Sequence, residues 1–309
     1  METINLAEAV LLTITTAATP LLLAAMGELV VERSGVLNLG VEGMIVVGAV
    51  IAFAVALTTG NPYLGALCGA AAGCAFSLLF GFLTLTLVTN QVATGLALTI
   101  LGLGLSGMIG ESFVGDAGVQ MEPIAIPLLD QLPLLGPLLF NQDLIFYLSI
   151  LSVFGVSWFL FRTRAGLQLR AIGDSHGSAH ALGIPVIKTR YLAVMFGGAC
   201  AGLAGAQLSL VDTPQWVENM SAGRGWIALA LVVFASWRPL RVLAGAYLFG
   251  AVTIGQLHAQ ALGFAIPSQF LSALPYLATI VVLVLISRNR RLTLMNTPAS
   301  LGQAFVPDR

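Results

Sequence analysis

Long apolar runs fill this chain almost from end to end, and one stretch, residues 162–190, interrupts them with charge. It holds Arg162, Arg164, Arg170, Lys188 and Arg190, five of the thirteen basic residues. A basic loop between two apolar runs belongs on the cytoplasmic side of a membrane. This one is long enough to meet another protein, which suggests a membrane subunit driven from outside itself. Hydrophobic residues make up 58% of the chain and charged ones 9%, where globular domains carry about 25% charged residues. The chain therefore reads as an integral membrane protein, one transmembrane domain over residues 1–309. No extramembrane stretch exceeds about thirty residues, too short for a folded soluble domain. Cys68, Cys74 and Cys200 lie in apolar stretches without CxxC spacing and read as small core residues. Arg33 is the first positive charge, so no cleaved signal peptide is expected.

A spanning helix needs about 20 mostly apolar residues. The candidates are 5–26, 36–58, 63–88, 91–109, 143–161, 191–210, 222–236, 242–260 and 270–287, so the predicted fold is an all-α polytopic bundle of about nine helices. With residues 162–190 inside, twelve of the thirteen basic residues fall inside and only Arg224 sits at an outer end. This asymmetry predicts the N-terminus outside and the C-terminus inside. The connection 110–142 agrees: it carries Glu111, Asp116, Glu122 and Asp130, with Asp143 at its edge, and no Lys or Arg. It should face outside, its proline-rich part at 126–137 forming a short re-entrant or surface-lying element or a plain external loop.

Two segments differ from simple lipid anchors. The apolar run 224–236 has thirteen residues, about 20 Å as a helix against a core of about 30 Å, and needs preceding residues to complete a crossing. GVLNLGVEGM, residues 35–44, opens a span with three glycines and carries Glu42 within it. A carboxylate at that depth is expensive and faces protein or a water-filled path. Glu42 either serves a pathway or is structural, capping a neighbouring helix or pairing with Arg33. Small-residue runs at 65–77 and 197–206 allow close helix approach, and their corresponding places in the two halves hint at duplication.

Much chemistry is missing. There is no GxxxxGK[ST], so ATP cannot be bound by a P-loop, and no GxSxG elbow. His176 and His180 are four apart without the glutamate of HExxH, so a polar surface helix is favoured over a metal site. No catalytic residue, metal ligand, bound cofactor or nucleic-acid partner is assigned. Within the basic loop, RAIGDSHGSAHALGI at 170–184 predicts a short helix through 176–182, capped by Asp174 or Ser175 and ended by Gly183 and Pro185. Such a helix is too short to stand alone. It either docks into a partner or is an ordinary capped surface helix.

Ala171-Ile172-Gly173-Asp174 and Ala181-Leu182-Gly183-Ile184 resemble the start and end of the coupling region in permease subunits of bacterial ABC importers of the ribose and branched-chain amino acid group. ERSGVLNLGVEGM (32–44), TNQVATGLAL (89–98), IPLLDQLPLLGPLLFNQ (126–142) and GRGWIALALVVFASWRPL (223–240) look like permeases of nucleoside importers of the simple-sugar type. The segments occur in the family's order over nearly the whole chain. His176 and Gly177 replace the usual Pro and acidic residue after Gly-Asp, which weakens the helix start. Ala235-Ser236 stand where glycine tends to precede the Trp-Pro turn.

The resemblance implies a multi-pass subunit of a bacterial plasma (inner) membrane importer. Two membrane subunits form the pathway, this chain pairing with a different permease in preference to itself. Two separate ATPase subunits, holding ATP and Mg, dock on the coupling helices, and an extracytoplasmic binding protein delivers the ligand. Coupling falls to Arg170, Ala171, Ile172, Gly173, Asp174, Ser175, His176, Ala181, Leu182 and Gly183. Asn38, Glu42, Asn90, Gln91, Thr94 and Arg224 are the polar groups expected to line or gate the pathway. Nucleosides are the first substrate; simple sugars, purine bases and branched-chain amino acids stay open. A proton-coupled secondary transporter working through Glu42 and an intramembrane enzyme are the competing classes.

Overall fold

The structure is a computed structural model; it describes residues 6–127, 136–261 and 296–307, with isolated positions at 273, 274, 277, 280, 281 and 284. Ten helices follow one another: α1 (Leu6–Arg33), α2 (Val41–Thr59), α3 (Pro62–Gly81), α4 (Gln91–Gly110), α5 (Leu144–Arg162), α6 (Arg164–Asp174), α7 (His176–Ala181), α8 (Val186–Gln207), α9 (Arg224–Phe234) and α10 (Pro239–Ala261). Local signals place many ends. Asn61 Oδ1 accepts from the amides of Tyr63 and Leu64 before Pro62 opens α3, and Asp143 caps α5 through the Phe146 amide at 2.9 Å. Gly60 ends α2 in the left-handed conformation.

Among the described residues, seven helices are long and apolar enough to cross a membrane, which makes the fold an all-helical membrane bundle. Seven of the nine expected spans are these helices. The one expected at 222–236 is instead α9, whose eleven residues reach about 16 Å, roughly half the hydrocarbon core. The backbone before it, with Asn219, Ala222 and Gly223 at positive φ, is turns rather than helix. The span expected at 270–287 lies largely outside the described residues.

The centre of the bundle is where α2, α3 and α8 meet. α2 and α8 are buried over most of their length. The two small-residue runs face one another there: a side chain on Gly73 would strike the Gly198 carbonyl, and one on Gly202 would strike the Gly69 carbonyl. Lipid is as apolar as leucine, so such close van der Waals contact supplies the association that hydrophobicity alone does not. Larger side chains of α1, such as Leu22, Met26 and Leu29, fill the same core.

On one side of the bundle the 111–142 connection forms a two-residue antiparallel pair, β1 (Ile124–Ala125) with β2 (Asn141–Gln142). Its first half lies on the α8–α9 connection, the amides of Gly118 and Met121 donating to the carbonyls of Pro214 and Leu210, each at 2.9 Å. Most of the proline-rich element expected at 126–137 lies outside the described residues; Gly136–Phe140 is a single wide helical turn. On the opposite side, residues 162–190 form α6 and α7, and the segment 296–307 returns to pack on them.

Candidate functional site

α6 and α7 are separated only by Ser175. Thr163 caps α6 through the Gly166 amide at 3.0 Å, and Ser175 caps α7 through the Ser178 amide at 3.3 Å. Gly183 stops the turn at φ +78°. α7 is therefore the short helix the loop sequence predicts, with Ser175 rather than Asp174 as its cap. α6 is an element the sequence reading did not separate: Leu169 and Ile172 face inward, while Arg164, Leu167 and Gln168 face out.

The ten coupling positions divide in two. Asp174, Ser175, Ala181, Leu182 and Gly183 are exposed, and Arg170, Ala171 and His176 are half-buried. Ile172 and Gly173 are buried instead. Leu182 is 81% exposed, the most exposed large hydrophobic side chain among the described residues, and it sits on a polar loop. An apolar side chain so placed suits a protein contact.

Behind this face lies an anchor that sequence did not show. The Ser300 hydroxyl donates to the Gly173 carbonyl at 2.6 Å, the Ser300 amide donates to the same oxygen at 2.9 Å, and the Gly302 amide donates to Gly35. The Phe305 ring meets both His176 and His180, each with centroids 5.3 Å apart. Arg190, 1% exposed, donates to the carbonyls of Ser34 and Gln303 at 3.1 and 3.3 Å. It also reaches His176 Nδ1 at 3.4 Å. A guanidinium only donates, so Nδ1 is the acceptor. Burial and the Arg190 charge both hold His176 below its ordinary value of 6.5, the protonation state this bond requires. Any side chain at Gly173 would strike the Arg33 carbonyl. α6 and α7, the α1–α2 corner and the 296–307 segment thus form one unit.

The unit continues into the bundle through the end of α1. Trp237 Nε1 donates to Glu32 Oε2 at 2.6 Å. Arg33 donates to the carbonyls of Trp237 at 3.1 Å and Asn296 at 2.9 Å. Ser236 and Trp237, both at φ near +50°, make the sharp α9–α10 corner. One end of α9 is thereby tied to the helix that carries the coupling unit.

The other end of α9 stops inside the bundle, at Glu42. Gly43, next to it, packs against Gly102, eleven residues into α4, about 17 Å along that span. Glu42 Oε1 accepts from the Ser221 hydroxyl at 2.5 Å and the Gly223 amide at 2.8 Å. Its Oε2 accepts from the Gly225 amide at 2.6 Å. A carboxylate on the first amides of a helix meets both its unpaired donors and its positive dipole end. Gly225 permits the approach, since a side chain there would lie 2.6 Å from Glu42 Oε2. Of the structural roles open to Glu42, capping a neighbouring helix is the one observed.

The other pathway residues fall into separate places. Asn38 is buried and bonds the Gly40 amide at 3.0 Å, and Gln91 accepts from the Leu37 amide at 2.8 Å; both shape the loop leading to Glu42. Arg224, at the head of α9, donates to the carbonyls of Met220 and Ser221. Asn90 caps α4 through the Ala93 amide, and Thr94 bonds Thr89 at the exposed α3–α4 turn. Gln91 Nε2 and Glu28 Oε2 are buried without a partner among the described residues. Glu28 and Glu32, four residues apart in an apolar helix, are a signal the sequence contained and the reading passed over.

Residues 10–286 match the family described as branched-chain amino acid transport system / permease component. The chain is 42% identical to an ABC transporter permease of Haloferax volcanii provisionally assigned to glucose, over 94% of each protein. It is 34% identical to a guanosine ABC transporter permease of Bacillus subtilis, over 86% of this chain and 88% of that one. Identity to a nucleoside ABC transporter permease of Lactococcus lactis is 30%, over 92% and 94%. No solved structure matches.

Proposed function

The chain belongs to the family of permease components of the branched-chain amino acid transport type, and from that premise we propose that it forms part of an import pathway for nucleosides, moved by separate ATPase subunits that dock on α6 and α7. Permease components of ABC transporters are not themselves enzymes, which sets aside the intramembrane enzyme.

The observation that carries this reading is the unbroken contact path from the loop to the middle of the bundle. ATP and Mg, held by the partner ATPase pair, close that pair and shift α7. Because α7 is locked to Arg190, Phe305 and the Gly173–Ser300 bonds, the shift passes to Arg33 and Glu32, then through Trp237 to α9. α9 is a half-length helix whose inner end meets Glu42 on α2, an arrangement of the kind from which transporters build mid-membrane sites. The excess of positive charge supports placing the loop on the cytoplasmic face of the plasma membrane. An extracytoplasmic binding protein meets the opposite face.

The same geometry bears on the substrate. Glu42 already meets the amides at the positive end of α9, so that helix end is not left open for an anion. Two of the relatives are named for nucleosides or guanosine, which are neutral solutes. The second reading is a simple sugar, favoured by the 42% identity to the Haloferax volcanii permease. A second, different permease completes the pathway, on the strength of the family resemblance.

Uptake of radiolabelled guanosine, uridine and glucose in cells lacking the gene tests this directly. Nucleoside uptake that is lost and then restored by the intact gene supports the assignment; glucose uptake lost with nucleoside uptake unchanged replaces it with the sugar reading.

A further inference from the structure

Between α1, α5, α6 and α8 runs a half-open groove of about 750 Å³ that the transport reading leaves unused. Its walls are apolar, with Leu23 and Val30 from α1 and Phe196 and Leu203 from α8. At one end, beside the basic loop, the lining turns polar with Gln168 and Lys188. Ser152 and Thr189 also line it, but their hydroxyls already donate to the carbonyls of Ser149 and Pro185. Lys188 is the chain's single lysine, is exposed and has no hydrogen-bond or ion-pair partner among the described residues.

We infer that this groove binds one anionic phospholipid from the leaflet on the basic-loop side, an acyl chain lying between α5 and α8 and the phosphate on Lys188. Length supports it. The α5 wall, Leu148 to Phe159, extends about 16 Å, close to one leaflet of a core of about 30 Å, and the α8 wall runs on to Lys188 at its basic end. Charge supports it as well. Arg162 and Arg164 stand exposed where α5 passes into α6, and no Asp or Glu occurs between Asp143 and Asp174 or between Asp174 and Asp212. The mouth of the groove is cationic on both flanking helices, and basic pockets between helices at such a surface attract anionic headgroups. A zwitterionic headgroup sets its own ammonium beside its phosphate and gains less from Lys188 than an anionic one.

Two substitutions separate the headgroup from the chain. Lys188→Gln removes the charge at an exposed position. Gly155 lines the groove with open space where a side chain would stand, so Gly155→Leu fills it, and leucine favours the helix over glycine. The assembled transporter is purified in detergent, titrated with dioleoylphosphatidylglycerol or dioleoylphosphatidylcholine, and its bound lipids are counted by native mass spectrometry. The expected result is one more retained phosphatidylglycerol than phosphatidylcholine per copy of this chain. Lys188→Gln should abolish that difference, and Gly155→Leu should lose the lipid whichever headgroup it carries. Equal retention of the two lipids, or retention indifferent to either substitution, overturns the inference. Displacement of the lipid by millimolar inorganic phosphate overturns it too, by showing a simple anion site. So does a Gly155→Leu transporter whose two membrane subunits separate on a native gel with lipid counts unchanged, since the groove is then a protein interface.

Discussion

Glu32 and Trp237 are joined by a buried hydrogen bond of 2.6 Å from the indole nitrogen to the carboxylate, and this bond ties the last turn of α1 to the corner where α9 becomes α10. A hydrogen bond contributes about 0.5–1.5 kcal/mol net, and a buried partner left unsatisfied costs about 1–3 kcal/mol. Trp237→Phe keeps an aromatic ring in the corner but removes the donor. The expected outcome is normal membrane insertion, a lower thermal midpoint and uptake reduced roughly tenfold, equivalent to about 1.4 kcal/mol. Glu32→Met, which removes the acceptor at similar size, should act similarly, and the double variant should be little worse than either alone, because both remove one interaction. Fully additive effects in that cycle would show that the bond carries no coupling.

Glu42 offers a sharper test, because its two oxygens serve three donors at the head of α9. Glutamine has one acceptor oxygen and sets an NH2 against a donor, leaving at least one buried amide unpaired at about 1–3 kcal/mol. Glu42→Gln should therefore lower uptake at least tenfold at normal membrane abundance. Ser221→Ala, which removes one donor and leaves the carboxylate two backbone amides, should be milder. Wild-type transport by Glu42→Gln would detach the cap of α9 from function.

What sequence made legible and what it hid follow from the range of the interactions. Ser175 and Gly183 delimit α7 through contacts within a few residues, so capping and left-handed glycine were readable from the loop. The small-residue runs were readable as close-packing surfaces, though not that they meet each other at Gly69, Gly73, Gly198 and Gly202. The half-length of α9 was only partly visible: its apolar composition is that of a span, and its true start is set by Glu42, about 180 residues earlier and paired through the fold. Ser300 and Phe305 carried no local signal at all, since their partners at Gly173 and His176 lie more than a hundred residues away.

The exposed and buried halves of the coupling surface should fail in different ways. Leu182 touches little of its own chain, so Leu182→Glu should leave the thermal midpoint within about 0.5 kcal/mol of wild type while the ATPase subunits no longer copurify. Gly173→Ala places a methyl group against the Arg33 carbonyl and should lower both stability and copurification. If Leu182→Glu retains the ATPase subunits at wild-type stoichiometry, α7 is an ordinary surface helix.

His176 makes the anchor sensitive to acid. Its pKa is lowered in the folded chain by burial and by Arg190, so the released state binds the proton more readily than the docked one. Docking is therefore fully favoured above the ordinary histidine value of 6.5, weakens as pH falls through the window below it, and levels off once both states are protonated. Protonation also turns Nδ1 from acceptor to donor and faces it toward the Arg190 guanidinium. Hydrogen exchange of amides 300–305 should accelerate between pH 7 and pH 5 beyond the intrinsic change in exchange rate. His176→Gln, which keeps an acceptor but cannot titrate, should flatten that profile. His180→Gln should not, because His180 touches Phe305 from α7 without a bond to Arg190. A profile flattened by His180→Gln and kept by His176→Gln would assign the acid sensitivity to the other ring.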